Sequence, residues 1–324
     1  MRRRAFIKLI GSAAAWPVAA SAQSRTPVVG FLNSLSPAET NHIVDAFRQG
    51  VALAGLVEGQ SVRFEYLYAE GLYQLLPDMA AELVRRNVDV IAAGAPPAAL
   101  AAKAATTTIP IVFVVGFDPV KAGLVASYNR PGGNATGVCL ITSTLGQKRL
   151  ELILELVPKA RTISMIVNPT FPDTAIEVQD VQAAASANGR QLRIFNAGTA
   201  AEIDRAMVLV KEQGADALIV ASDPFLNTKS EQLAALAARH RIPAIYPFRE
   251  AVEAGGLLSY GASLAEAYRQ AGLYTGRILK GAKPTDLPVV QPTTFEMVIN
   301  LATARSLGID VPATLQARAD EVIE

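Results

Sequence analysis

Strand-like apolar runs alternate with helix-like segments along nearly the whole chain, and this alternation constrains the fold more than any other feature. Val28–Leu32 is a short, partly β-branched run that predicts a buried strand. After it, Ser36–Glu39 has the pattern of a capping box with proline at the first helical position, and Ile43, Phe47 and Val51 recur at helical spacing. Such an alternation indicates βαβ units and a parallel sheet.

The alternation runs twice, which predicts two structural units. The first round ends near the turn-rich stretch 131–134, and the second begins with the apolar run Thr162–Val167. A length of 324 residues also suits two domains better than a single core. The later helix Ala265–Leu279 and strand Phe295–Asn300 cannot bury a core of their own, so they must dock onto the two units.

The predicted fold class is therefore α/β, with two doubly wound Rossmann-like lobes joined by a three-segment hinge. The predicted limits are residues 26–141 plus 263–289 for the first lobe and residues 142–262 plus 290–324 for the second lobe. Chain crossovers of this kind make a hinge, and a hinge between two lobes makes a cleft in which a ligand can be enclosed.

Residues 1–22 have the pattern of a secretory signal. Arginines come first, a short apolar stretch follows, and the small residues of Ala20–Ala22 supply a cleavage site. Arg3 and Arg4 also resemble the twin-arginine export consensus. No cysteine follows the cleavage site, which argues against a lipid anchor. We therefore expect cleavage after Ala22 and a soluble, monomeric protein in the periplasm.

Composition and motif searches argue against several classes of function. The chain has 30 basic and 29 acidic residues, so no basic excess indicates nucleic-acid binding. One cysteine, Cys139, and two histidines, His42 and His240, leave little material for a metal site or a catalytic triad. Nucleophile-elbow, Walker and dinucleotide-binding motifs are missing. The sequence therefore predicts no catalytic residues, no metal and no cofactor.

The candidate ligand-binding residues follow the predicted strands. Ligands of open parallel sheets bind at the carboxyl ends of the strands, and these ends can be located in the sequence. The predicted ligand-binding residues are Asn33, Ser34, Gly94, Ala95, Pro96, Gly116, Asp118, Asn168, Ser222, Asp223, Tyr246, Phe248 and Tyr260. The aromatic members could form an apolar wall of the cleft, and ordinary packing positions are the alternative for each of them.

Two of these strand ends have opposite chemical capacities. Gly94–Pro97 opens a helix, and a helix N-terminus suits a carboxylate. Asp223 could pair with an ammonium group, and Ser222 beside it adds a hydroxyl. Asp118 has the same aspartate–proline pattern with fewer polar neighbours. The alternatives are an ordinary strand-to-helix turn at Gly94–Pro97 and a simple helix cap at each aspartate.

Several longer runs resemble one known family. The chain resembles the substrate-binding proteins of ABC importers, in the branch labelled tryptophan/tyrosine-type. The runs that carry the resemblance are Val29–Phe31 with Asn33, Pro110–Val112, Asp118-Pro119, Arg130–Gly137, Lys148–Glu155, Ile245–Pro247, Glu253–Leu257, Gly276–Pro284 and Val298–Leu301. The resemblance implies a periplasmic-binding-protein fold, no catalysis, and, in some members, a ligand with an amino-acid head group.

The sequence leaves three functions open. The first is an importer's binding protein that traps a small carboxylate-bearing solute, amino-acid-like or aromatic, by hinge closure and delivers it to an ABC permease in the inner membrane. The second is a ligand-sensing subunit that docks on a membrane receptor. The third is an exported enzyme that uses the same cleft, and the missing nucleophile and metal patterns count against it.

Overall fold

Two sheets form the framework of the molecule, whose structure is a computed structural model that describes residues 25–324. The predicted signal at residues 1–22 lies outside the described residues. The first sheet is five-stranded and entirely parallel, in the order β2-β1-β3-β4-β5. Its strands are β1 (Val28–Asn33), β2 (Arg63–Tyr68), β3 (Val90–Gly94), β4 (Ile111–Val115) and β5 (Ala135–Cys139).

The second sheet is seven-stranded, in the order β12-β11-β10-β9-β8-β6-β7. Its strands are β6 (Thr162–Val167), β7 (Gln191–Asn196), β8 (Ala217–Val220), β9 (Ala244–Tyr246), β10 (Leu258–Gly261), β11 (Glu296–Asn300) and β12 (Glu321–Ile323). The predicted strand near residues 295–300 is present as β11. It pairs antiparallel with β10, so this edge of the sheet departs from the parallel pattern that the rest of the lobe follows.

Helices cover both sheets. They are α1 (Pro37–Leu53), α2 (Leu76–Arg85), α3 (Pro96–Ala105), α4 (Gly146–Leu156), α5 (Thr174–Ala187), α6 (Ala200–Glu212), α7 (Pro224–Thr228), α8 (Ser230–His240), α9 (Glu250–Glu253), α10 (Leu264–Leu279), α11 (Leu301–Leu307) and α12 (Ala313–Gln316). Within residues 25–324, no helix combines the length and the apolar character that crossing a membrane requires.

The start of α1 shows how the sequence fixes the local structure. Ser36 is the extended N-cap residue, and its backbone N–H donates to Oε2 of Glu39 at 3.1 Å, as a capping box requires. Pro37 occupies the first helical turn, where its missing N–H costs nothing. Ile43 and Phe47 are on the buried face of the helix, so the predicted helix and its orientation are confirmed.

Helix α10 returns to the first sheet and packs closely against α1. Two glycines make this approach possible. A Cβ added to Gly50 would lie 1.9 Å from the backbone oxygen of Arg269, and a Cβ added to Gly272 would lie 2.0 Å from that of Phe47. Neither glycine has a left-handed backbone, so the requirement is for space alone. The backbones of the two helices are therefore in direct contact.

The chain passes between the two sheets in three places. It leaves the first sheet after β5, returns from β10 to α10, and crosses again between α10 and β11. The third passage is tied to the first sheet, because the backbone N–H of Cys139 donates to the carbonyl of Val290 at 2.8 Å. The two sheets correspond to the two predicted lobes, and the exact residue limits of the lobes stay a prediction.

A buried ion pair joins the first passage to the second sheet. The guanidinium of Arg149, in α4, and the carboxylate of Glu177, in α5, are 0% and 1% exposed, with 2.8 Å between Nη2 and Oε1. The same nitrogen donates to the hydroxyl of Ser222 at 2.6 Å and to the carbonyl of Thr142 at 2.9 Å. This cluster holds the turn after β8 against the chain segment that leaves the first sheet.

We predict that Gly272→Ala destabilises the protein. Replacing glycine by alanine normally stabilises a helix by about 1 kcal/mol, but here the added methyl group would collide with the backbone of α1. We expect a loss of about 1–3 kcal/mol in the free energy of unfolding, the usual cost of overpacking. Urea denaturation followed by circular dichroism measures it. Gly133→Ala is the control, because its Cβ would have ordinary contacts. A Gly272→Ala variant with an unchanged free energy of unfolding would contradict the close packing of α1 against α10.

We also predict that Arg149→Met destabilises the protein by about 3–5 kcal/mol, because it leaves the Glu177 carboxylate buried without its partner. Adding Glu177→Leu to this variant should restore much of the loss. The matched control is Arg318→Met, whose ion pair with Glu155 is partly exposed to solvent and should contribute less than about 1 kcal/mol. Urea denaturation measures the free energy of unfolding of both variants. An equal loss for Arg149→Met and Arg318→Met would contradict the prediction that the buried ion pair contributes more than the partly exposed one.

Candidate functional site

A cavity of about 220 Å³ lies between the two lobes. It lies where the carboxyl ends of the strands meet, and each sheet reverses its strand order at this edge. In the first sheet the reversal is between β1 and β3, and in the second it is between β6 and β8. Such switch points form the natural ligand crevice of an open α/β sheet, because adjacent loops turn away to opposite faces.

Part of the predicted site lines this cavity. The first lobe contributes Ala95, Pro96 and Gly116 to the lining, and the second lobe contributes Ser222, Asp223 and Phe248. Choosing residues at the carboxyl ends of the predicted strands therefore identified parts of the cavity lining in both lobes. A role for each residue in ligand binding stays a prediction.

Other predicted residues lie directly behind the cavity wall. Asn33 and Ser34 are fully buried and do not line the cavity. Gly94 leaves room for its neighbours, because a Cβ there would lie 2.6 Å from Nδ2 of Asn33 and 3.0 Å from the hydroxyl of Tyr268. Asn168 donates from Nδ2 to Oδ2 of Asp223 at 3.2 Å. These residues support the wall rather than face the cavity.

The structure places the remaining predicted residues elsewhere. Oδ1 of Asp118 accepts from the backbone N–H of Val120 at 2.9 Å, so this aspartate caps its own turn outside the cavity. Tyr246 packs in the core of the second lobe. Tyr260 lies next to Phe295, with 6.0 Å between the ring centroids, and it also stays outside the cavity lining.

Asp223 is the most deeply buried charged group of the cavity wall, with 1% of its surface exposed. Its Oδ1 accepts from the backbone N–H of Leu226 at 2.8 Å, which caps α7, and its Oδ2 accepts from Asn168. Burial raises the pKa of Asp223 to about 7, against the lowering effect of these hydrogen bonds. A ligand with a positive charge would favour the ionised form of this carboxyl.

The apolar walls also contain residues that the sequence argument missed. Leu35 and Ile43 line the first-lobe side, Phe171 lines the second-lobe side, and Leu264 and Tyr268 come from α10. Helical spacing identified Ile43 as an inward-facing residue of α1, which was the available signal. The contribution of α10 depends on the return of the chain to the first lobe, and nothing local in the sequence indicates which of its residues reach the cavity.

An ion pair between the lobes lies beside the cavity. Nζ of Lys229 lies 2.7 Å from Oε1 of Glu39, the same carboxylate that completes the capping box of α1. Burial alone would raise the pKa of Glu39, and the contacts with Lys229 and Ser36 lower it overall. Glu39 therefore links the start of α1 to the second lobe, a role that its capping pattern concealed.

Other polar groups complete the lining. Asn227 and Glu250 come from the second lobe and His42 from α1. Burial raises the pKa of Glu250 and lowers that of His42. Among residues 25–324, no group of histidine, cysteine and carboxylate side chains has the arrangement of a metal site. The lining can therefore offer hydrogen bonds, negative charge and apolar contact to a small solute.

Known proteins share this architecture. A family model for "ABC transporter substrate binding protein" matches residues 29–323. A curated relative, the Tyrosine-binding protein of Clostridioides difficile (strain R20291), is 29% identical over 255 residues, which are 79% of this chain and 73% of the relative.

Two solved structures are also similar. A conserved domain protein from Vibrio cholerae is 28% identical with a TM-score of 0.83, and the superposition covers 92% of this chain and 100% of that chain. An ABC domain in complex with L-Trp from Streptococcus pneumonia is 27% identical with a TM-score of 0.82, at the same coverage. The predicted fold of two periplasmic-binding-protein lobes and the predicted family resemblance are confirmed. Since the family model spans nearly all of the described residues, this chain belongs to the family of ABC transporter substrate binding proteins.

Proposed function

We propose that this protein captures a small, mainly apolar solute with an amino group and delivers it to an ABC permease in the inner membrane. One observation carries the proposal. The cavity between the lobes has apolar walls on both sides and one deeply buried carboxyl, that of Asp223. A ligand ammonium group would pair with this carboxyl while the rest of the solute fills the apolar space.

The relatives support a solute of this kind. One is named a Tyrosine-binding protein, and the structure of another contains L-Trp. Both amino acids combine an aromatic body with an ammonium group. The corresponding amines share these two features, so the proposal covers amino acids and amines alike. The carboxylate site predicted from the sequence at Gly94–Pro97 stays a prediction.

Lobe closure would couple binding to delivery. Residues from both lobes line the cavity, so a bound solute contacts both of them at once. The ion pair between Glu39 and Lys229 forms only when the lobes are close, and it would add to the stability of the closed form. A permease that recognises the closed form would then receive loaded protein. We propose binding without catalysis, by a monomer.

The proposal places the protein in the periplasm. Residues 1–22 would direct export and be removed, so the mature chain would begin at Gln23. N-terminal sequencing of the protein from a periplasmic fraction identifies the first residue of the mature chain. The control replaces Arg3 and Arg4 by lysine, which should block export if the twin-arginine route is used. Recovery of the intact N-terminus from the cytoplasm alone would contradict the proposed location.

We predict that Asp223→Asn weakens binding of an amine-bearing solute by about 2–5 kcal/mol, the range for truncating one partner of a buried charge pair. Asparagine keeps the cap on α7, because it is as good an N-cap residue as aspartate. Calorimetry with L-tryptophan and with tryptamine measures the affinity, and circular dichroism checks the fold. Asp118→Asn is the matched control, since Asp118 also caps a turn and lies outside the cavity.

The pH dependence gives the same experiment a second readout. Ammonium binding requires an ionised Asp223, whose pKa lies near 7 before the ligand arrives. The affinity should therefore rise about tenfold between pH 6 and pH 8. Glu177, Glu250 and His42 lie near this region and can also titrate, whereas burial raises the pKa of Tyr73 well above this range, so the Asp223→Asn variant is measured over the same range. A pH profile that the substitution leaves unchanged would exclude Asp223 as the ammonium partner.

A further inference from the structure

One ion pair joins the two lobes away from the chain crossovers. Nζ of Lys229, directly after α7 of the second lobe, lies 2.7 Å from Oε1 of Glu39, in α1 of the first lobe. Among residues 25–324, every other ion pair has both partners in the same lobe. The two side chains are 28% and 24% exposed, so solvent screens this pair less than a fully exposed one. We call the pair of Glu39 and Lys229 the interlobe clasp.

The carboxylate of Glu39 is held in place by its own lobe. Its Oε2 accepts from the backbone N–H of Ser36 at 3.1 Å and from the Ser36 hydroxyl at 2.7 Å. These contacts leave Oε1 for Lys229. A surface ion pair usually contributes little, because fixing two long side chains costs conformational freedom. For Glu39 much of that cost falls on the folding of the first lobe, so more of the attraction is left for closure.

The short helix α7 positions Lys229. The backbone N–H of Lys229 donates to the carbonyl of Leu226 at 3.1 Å, and its Nζ lies 5.7 Å from the centre of the Phe225 ring, where a cation is attracted to the ring face. Lys229 is outside the cavity lining, whereas Asn227 and Thr228 just before it belong to the lining. A substitution of Lys229 therefore removes the clasp without removing a side chain of the lining.

The clasp and the proposed ammonium site lie at the two ends of the same helix. Asp223 is the N-cap residue of α7, and Lys229 follows its last residue. Under the proposed function, a solute enters before the lobes close and leaves after they separate, and separation breaks the clasp. An attraction that exists only in the closed form lowers the open fraction of the loaded protein, which slows escape. It leaves the rate of entry unchanged, because entry precedes closure.

We propose that Lys229 is a positioning residue that retains the bound solute without touching it, and that the clasp makes retention depend on ionic strength. Dissolved ions screen a partly exposed ion pair, so high salt would destabilise the closed form. The solute would then be released fastest where the ionic strength is highest. This inference rests on the proposed function and adds a means of regulation to it.

Stopped-flow fluorescence tests the inference on the purified mature chain, with L-tryptophan and tryptamine as probes. The only tryptophan of the sequence, Trp16, lies in the predicted signal, so the indole emission comes from the probe. We expect Lys229→Met to raise the dissociation rate about three- to tenfold and to leave the association rate unchanged. The matched control is Lys211→Met, which removes the same charge at an exposed position of α6.

A salt series on the same proteins tests the dependence on ionic strength. Between about 20 mM and about 500 mM salt, we expect the dissociation rate of the unsubstituted protein to rise about twofold or more. The dissociation rate of Lys229→Met should change less over the same range. Each probe is compared between proteins at equal salt, so long-range attraction of the probe to the protein affects both alike. Equal salt dependence in the two proteins would contradict a regulatory role of the clasp.

A second variant separates the clasp from other effects of Lys229. Glu39→Gln removes the partner charge and keeps the capping box, because glutamine serves at this position as glutamate does. We expect the double variant to release the probes no faster than the faster single variant. Circular dichroism confirms that the variants are folded. Additive effects, or a Lys229→Met rate equal to that of Lys211→Met, would overturn this inference and leave the proposed function standing. Binding of neither probe to the unsubstituted protein would overturn both.

Discussion

The position of the ligand wall depends on one buried ion pair, Arg149 with Glu177. Burying two charges is costly, and the pair is tolerable because each member makes further hydrogen bonds. Nη2 of Arg149 contacts both Thr142, on the chain segment that leaves the first sheet, and Ser222, at the end of β8. Glu177 accepts from the backbone N–H of Ser222 at 3.0 Å. Asp223 is the next residue, so its place at the cavity follows from this cluster.

The same cluster shapes the electrostatics of the cavity. Arg149 and Glu177 neutralise each other, and Glu39 and Lys229 do the same at the lobe boundary. Asp223 remains buried without a cationic partner, which is why its pKa lies near 7. Under the proposed function, a ligand ammonium group would supply the positive charge that Asp223 lacks in this structure.

Local patterns predicted the architecture well and the site only in part. Strand runs and the capping box at Ser36 act within a few residues, so the sequence reveals them. Asp118 and Asp223 show the limit, because both precede a proline and both cap a turn, yet only Asp223 lines the cavity. The difference depends on the strand order in each sheet. Tyr268 reaches the cavity only because α10 recrosses to the first lobe, and no local pattern encodes that return.

The contact between α1 and α10 has a consequence for solute size. Gly50 and Gly272 let the two backbones touch, so no flexible side chains cushion the contact. Glu39 on α1 and Tyr268 on α10 both line the cavity, so a displacement of either helix toward the other would bring their backbones into collision. Under the proposed function, this wall would therefore yield little to a longer solute. Such a solute would instead hold the lobes apart, and its extra length would appear as incomplete closure.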